Sequence, residues 1–137
     1  SLVIYVLDTS AFSALMRQNQ QLRTRMAALQ SDDSSAICTI TGGEILYGLE
    51  RMDEGRRRQT LLTQANKYFE LLICIPITEA VGDQYAKIKR DTERKGMSLD
   101  ENDLWIAATV LNVNATLVTQ DSDFNRVDNL KVENWTR

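Results

Sequence analysis

Val3-Ile4-Tyr5-Val6-Leu7-Asp8-Thr9-Ser10 is an unbroken apolar run that ends on a carboxylate and two hydroxyls. A run of strand length, rich in β-branched and aromatic residues and without alternation, suits a central strand of a parallel sheet, where helices cover both faces. Asp8 then stands at the strand's carboxyl end, and in open α/β sheets the ligand crevice lies outside those ends. The same triplet suits a helix N-cap, because Asp, Thr and Ser side chains accept from the free N–H groups of a first turn. A helical stretch over 11–17 follows at once. Capping and chemistry both stay open for Asp8 until other acids are placed.

Working outward, Ala36-Ile37-Cys38-Thr39-Ile40 and Ala115-Thr116-Leu117-Val118-Thr119 read as two more buried strands. Ile73-Cys74-Ile75, before Pro76, reads as a short third, and Lys131-Val132-Glu133 as a last one. Between them lie helical spacings. Leu22, Met26 and Leu29 mark a helix over 22–30 that forms a hairpin with 11–17. A longer helix starts at Arg56-Arg57-Arg58 and carries Leu61, Leu62, Ala65 and Phe69 on one side. Thr78 caps the next, with Val81, Tyr85 and Ile88 inward, and Gly96 stops it. Asp103 opens a helix over 104–111 that is apolar nearly all round and so predicted to be buried. Thr41-Gly42-Gly43-Glu44 has the capping-box form, Thr followed three residues later by Glu, and predicts a helix toward Met52. Strands alternating with helices imply an α/β fold: one domain over 1–137 with a mostly parallel central sheet of four to five strands and helices on both faces.

The 137 residues, 43% hydrophobic and 26% charged with a single proline, have the composition of a globular protein. Apolar runs are of strand length and the first residues lack a secretory signal, so no membrane association and a cytoplasmic location are expected. Cys38 and Cys74, both in apolar strand-like contexts, read as core residues in a reducing compartment. The chain has no histidine, which excludes Ser-His-Asp and Cys-His activation and the common zinc sites. A net charge of −3 argues modestly against nucleic-acid binding. It is uneven: residues 50–95 hold ten Lys/Arg against eight Asp/Glu, leaving six against eleven elsewhere. A solvated helix face is the ordinary meaning of that basic stretch.

The topology carries several acids toward one sheet edge. Asp8 ends a strand, Asp121 and Asp123 follow another, and Glu44 and Asp103 stand in the first turns of helices. Singly each has a structural reading as cap partner, helix-dipole acid or turn former. Together, with no histidine and no basic partner in prospect, they form a crowd of like charges that costs energy unless a cation sits among them. Mg²⁺ or Mn²⁺ would answer, since hard cations take carboxylate oxygens and water. Ions so held activate water and stabilise the leaving oxygen of a phosphodiester.

At this point the chain resembles a PIN-domain ribonuclease of the VapC toxin type. Leu7-Asp8-Thr9-Ser10, Thr41-x-x-Glu44 with Gly48, Asn102-Asp103-Leu104-Trp105-Ile106-Ala107-Ala108 and Leu117 to Phe124 are similar to that family's four motifs, in order. The resemblance covers nearly the whole chain, including the ending Leu130 to Trp135. It implies a Mg²⁺-dependent endoribonuclease, Mn²⁺ being a possible substitute, that cleaves structured RNA such as a transfer RNA or a ribosomal RNA loop. It also implies neutralisation by a cognate VapB-type antitoxin, and a homodimer. Asp8, Glu44, Asp103 and Asp121 carry over as the acidic quartet and metal ligands, with Asp123 as an additional or substitute acid. Ser10 stands where asparagine is common and should keep a polar contact to Asp8 or water; Thr119, in the fourth motif, supports the site. Two rivals remain. A receiver-type phosphoacceptor domain also sets acids at a sheet edge, but the chain lacks its expected lysine just after the Ala115 strand. A catalytically inactive PIN-like interaction module is opposed by the presence of all four acids.

Overall fold

The structure, a computed structural model, describes residues 2–137. Strands β1 (Ile4–Leu7), β2 (Ser34–Cys38), β3 (Ile73–Ile75), β4 (Thr116–Val118) and β5 (Lys131–Glu133) form one sheet in the order β3-β2-β1-β4-β5. All four pairings are parallel. The helices are α1 (Thr9–Met16), α2 (Gln20–Ala27), α3 (Thr39–Glu50), α4 (Arg56–Leu71), α5 (Glu79–Arg94) and α6 (Glu101–Asn112). A 3₁₀ helix, Ser122–Arg126, precedes β5.

The unbroken apolar character of β1 follows from its central place, since both faces of the sheet are covered. Leu7, Ile37 and Val118 point to one side, where Phe12, Leu15, Ile45, Leu49, Ala65 and Trp135 close over them. Val6, Ala36 and Leu117 point to the other, against Val81 and Ile88 of α5 and the Leu104 to Val110 stretch of α6. Alternation by twos along each strand sends successive apolar residues into two cores. The register Leu7↔Val118 sets the carboxyl ends of β1 and β4 side by side. There the Asp8 N–H donates to the Val118 carbonyl at 3.0 Å.

Some expectations are corrected here. Helix α3 starts at Thr39, directly off β2, with Cys38 as a cap residue that makes no side-chain cap bond. Thr41 is therefore already inside the helix and buried, and the Thr41–Glu44 capping box does not form. Thr78 holds the N-cap position of α5 without a side-chain cap bond. Cys38 is buried as expected, but Cys74 is exposed, because β3 is an edge strand. Helix α6 begins at Glu101, earlier than expected, and its residues from Leu104 to Val110 are mostly buried.

Candidate active site

Asp8 is both a cap and a site residue by position. It is the N-cap of α1, and its Oδ1 accepts from the Ala11 N–H at 2.9 Å and from the Ser10 hydroxyl at 2.7 Å. Its Oδ2 accepts from the Thr119 hydroxyl at 2.5 Å. The residue is only 4% exposed. With two lone pairs per oxygen, Oδ1 is saturated and Oδ2 keeps one free position. Burial pushes its carboxyl above the usual range, against the three hydrogen bonds, with the Asp121 charge adding to the rise. Ser10 thus makes the polar contact to Asp8 expected of it, and Thr119 ties the end of β4 to the end of β1.

Glu44, in α3, is held from two directions. Its Oε1 accepts from the Thr9 hydroxyl at 2.5 Å, and its Oε2 accepts from the Asn102 side-chain amide at 3.2 Å. The second bond brings the start of α6 to the same sheet edge as α1 and α3. Asp103, in the first turn of α6, feels Asp121, Glu44, Asp100 and Asp8 in decreasing order. Burial first, and those charges next, push its carboxyl up to about 6. Asp121 and Asp123 divide. Asp121 caps the 3₁₀ helix through the Asp123 N–H at 2.8 Å and contributes to the field at both Asp8 and Asp103. Asp123 instead pairs with Arg126 at 3.0 Å. The structure thus brings Asp8, Glu44, Asp103 and Asp121 into one electrostatic neighbourhood and engages Asp123 with a cation of its own.

Among the described residues, none of those four acids has a Lys or Arg in salt-bridge contact. Nor do three of them close on a single point tightly enough to cage an ion. The donor chemistry fits a hard divalent cation all the same: carboxylate oxygens with free lone pairs on Asp103, Asp121 and Oδ2 of Asp8, in a neighbourhood short of positive charge. Mg²⁺ commonly takes one or two carboxylates and keeps its water.

Thr9, Asn102 and Gln120 lie within the four motifs without a role assigned to them there, and each holds a position at the site. Thr9 and Asn102 orient Glu44, and the Gln120 N–H donates to the Ser10 hydroxyl at 3.1 Å. The available signal was adjacency, since each stands next to an acid or just past a strand end.

A family model described as PIN domain matches residues 5–130. Over 98% of its length the chain is 28% identical to Ribonuclease VapC2 of Rickettsia felis, the whole of which is covered. It is also 28% identical, over 98% of its length and all of the relative's, to Ribonuclease VapC1 of Haemophilus influenzae. Among solved structures, VapBC2 from Rickettsia felis bound to a DNA fragment from its promoter superposes with a TM-score of 0.89 at 26% identity, covering 97% of this chain and 99% of that one. VapBC-1 from nontypeable Haemophilus influenzae does so with a TM-score of 0.88 at 26% identity, over 98% and 100%.

Proposed function

The chain belongs to the PIN-domain family, and from that premise we propose that it is a VapC-type ribonuclease toxin of a type II toxin–antitoxin pair. It hydrolyses phosphodiester bonds of structured RNA, a transfer RNA or ribosomal RNA loop, in a reaction that requires Mg²⁺. Its partners are the RNA, a VapB-type antitoxin and a second copy of the chain. The observation that carries this reading is the crowding of Asp103 by Asp121, Glu44, Asp100 and Asp8 where, among the described residues, no Lys or Arg pairs with Asp8, Glu44, Asp103 or Asp121.

Asp8, Glu44, Asp103 and Asp121 would hold the ion, which when bound lowers the pKa of its water and offsets charge at the phosphate. The rest belongs to the chain. Ser10, Thr119 and the Ala11 N–H keep the Asp8 carboxylate fixed, and Thr9 with Asn102 does the same for Glu44. Preorganised acceptors of this kind need no rearrangement as the reaction proceeds. The chain has no histidine to take a proton from a ribose 2′-hydroxyl, and its clustered acids are assigned to holding the ion, so water is the proposed nucleophile. The products should therefore carry 5′-phosphate and 3′-hydroxyl ends. Sequencing RNA ends after brief induction, beside cleavage assays with Mg²⁺ and with EDTA, checks this. Ends carrying 2′,3′-cyclic phosphate, or full activity in EDTA, would exclude the mechanism.

A further inference from the structure

The basic start of α4 is not used by the site as described, yet it faces the site across a groove. That groove, of about 750 Å³, runs between α1, α3 and the first turn of α4. Thr9 and Glu44 line it at the catalytic side, and Arg17, Arg56 and Arg57 line it elsewhere. Glu44 is the single acid in its lining, so three cations meet one carboxylate in a chain whose net charge is −3. Among the described residues, Arg58 pairs with Glu50 at 3.6 Å, whereas Arg17, Arg56 and Arg57 form no salt bridge. All three are exposed. Unpaired guanidiniums beside a groove that reaches Glu44 at one side suit a polyanion, because phosphate contacts dominate nucleic-acid affinity. The groove's apolar floor, Leu49 and Met52 among it, offers surface to bases out of their stack.

We propose that Arg17, Arg56 and Arg57 form a binding track for the backbone phosphates of a single-stranded RNA segment beside the scissile bond. The track rests on the ribonuclease reading given above and assigns the substrate's path on one side of the acids. It holds three phosphates away from the reacting atoms, so these arginines act in binding and the effect of removing them belongs in KM.

The test uses the Asp103→Asn chain, in which RNA is bound without being cut, and a single-stranded oligoribonucleotide of mixed sequence over a series of salt concentrations. Adding Arg17→Gln, Arg56→Gln and Arg57→Gln should weaken binding at least about tenfold at low salt. It should also flatten the slope of log affinity against log salt by about 2, or about 0.7 for each phosphate no longer neutralised. The Arg→Lys triple should keep most of the slope, and near-ultraviolet circular dichroism checks that each variant is folded. In the chain with Asp103 intact, the same Gln triple should raise KM more than it lowers kcat. Unchanged affinity and slope in the Gln triple overturn the track while leaving the ribonuclease reading standing. So does a Gln triple that still binds RNA but no longer binds a VapB-type peptide, since the groove would then be a protein's. If the intact chain cuts no RNA and the Asp103→Asn chain binds none, the ribonuclease reading falls and the track falls with it.

Discussion

Two side chains at the candidate site show how a residue can be fixed by the fold and still stay available for chemistry. The capping and catalytic readings of Asp8 are compatible, because Oδ1 caps α1 while Oδ2 keeps a free lone pair. Asparagine can keep the Oδ1 bonds and turn its amide toward Thr119, whose hydroxyl already accepts from the Asp121 N–H at 2.9 Å and has room for a second donor. It also removes a charge that burial disfavours. Metal-free Asp8→Asn should therefore melt no lower than the parent chain, while Asp8→Ala should lose about 0.5–2 kcal/mol with the cap. Denaturant titration of the pair checks this, and equal losses in both variants would contradict it. Both should lose cleavage activity by orders of magnitude.

Asp103, like Asp8, has its carboxyl pushed up by burial, here to about 6 with four neighbouring acids adding to the rise. Between its ordinary value of 3.8 and about 6, the folded chain holds a proton that the unfolded chain has lost. Stability from this group is thus full below about pH 4 and is lost as pH rises through about 6. Removing the charge removes that loss. Metal-free Asp103→Asn should match the parent chain near pH 4 and exceed it at neutral pH by about 1–2 kcal/mol, once solvent screening of this half-buried group is allowed for. A gap that stays constant from pH 4 to 7 would show that the neighbouring charges do not act on Asp103 as described.

At the scale of elements, much was legible because the signals are local. β1 and β4 read as unbroken apolar runs since both faces of the sheet are covered, and α6 read as buried from its apolar circumference. What failed depended on distant parts of the chain. The exposure of Cys74 follows from β3 lying at the sheet edge, which strand order decides and composition does not. The Thr41–Glu44 capping box looked complete in sequence, but β2 hands over to α3 at Cys38 and Glu44 is bonded instead to Thr9 and Asn102, 35 and 58 residues away. The acids stood out in sequence because they follow strand ends or open helices, and the Ser10 contact to Asp8 was legible with them; the bonds that Thr9 and Asn102 donate to Glu44 were not, because they close only when α1, α3 and α6 meet. The chain's end is a further example. Trp135, past β5, is 1% exposed, its ring centroid lies 5.0 Å from that of Tyr5, and its indole N–H donates to Glu133 at 2.9 Å. Trp135→Ala should cost about 3–5 kcal/mol and Trp135→Phe clearly less, as read by denaturant unfolding. If the alanine variant lost under about 1 kcal/mol, the tail would not be part of the core that supports β1.

At the scale of the whole molecule, the acids sit where β1, β4, α1, α3 and α6 converge, so their mutual repulsion is a cost borne by the fold and a bound cation is linked to global stability. Ligand that binds only the folded state stabilises by mass action, by about 2.7 kcal/mol at a hundred times its Kd. For a chain of 137 residues that corresponds to a rise in Tm of about 5–10 °C. The same linkage separates Asp121 from Asp123, the division the sequence left open. Asp121 adds to the field at Asp8 and Asp103, whereas Asp123 is engaged by Arg126 at 3.0 Å. Asp121→Asn keeps an acceptor for the Asp123 N–H, so its cap survives while its charge is lost. Titrated with Mg²⁺ or Mn²⁺, the parent chain and Asp123→Asn should show the same rise in Tm, and Asp121→Asn less than about half of it. The reverse order would assign the metal to Asp123 and require its bond with Arg126 to open on binding; equal rises in all three would remove both residues from the metal site and leave Asp8, Glu44 and Asp103 to hold the ion.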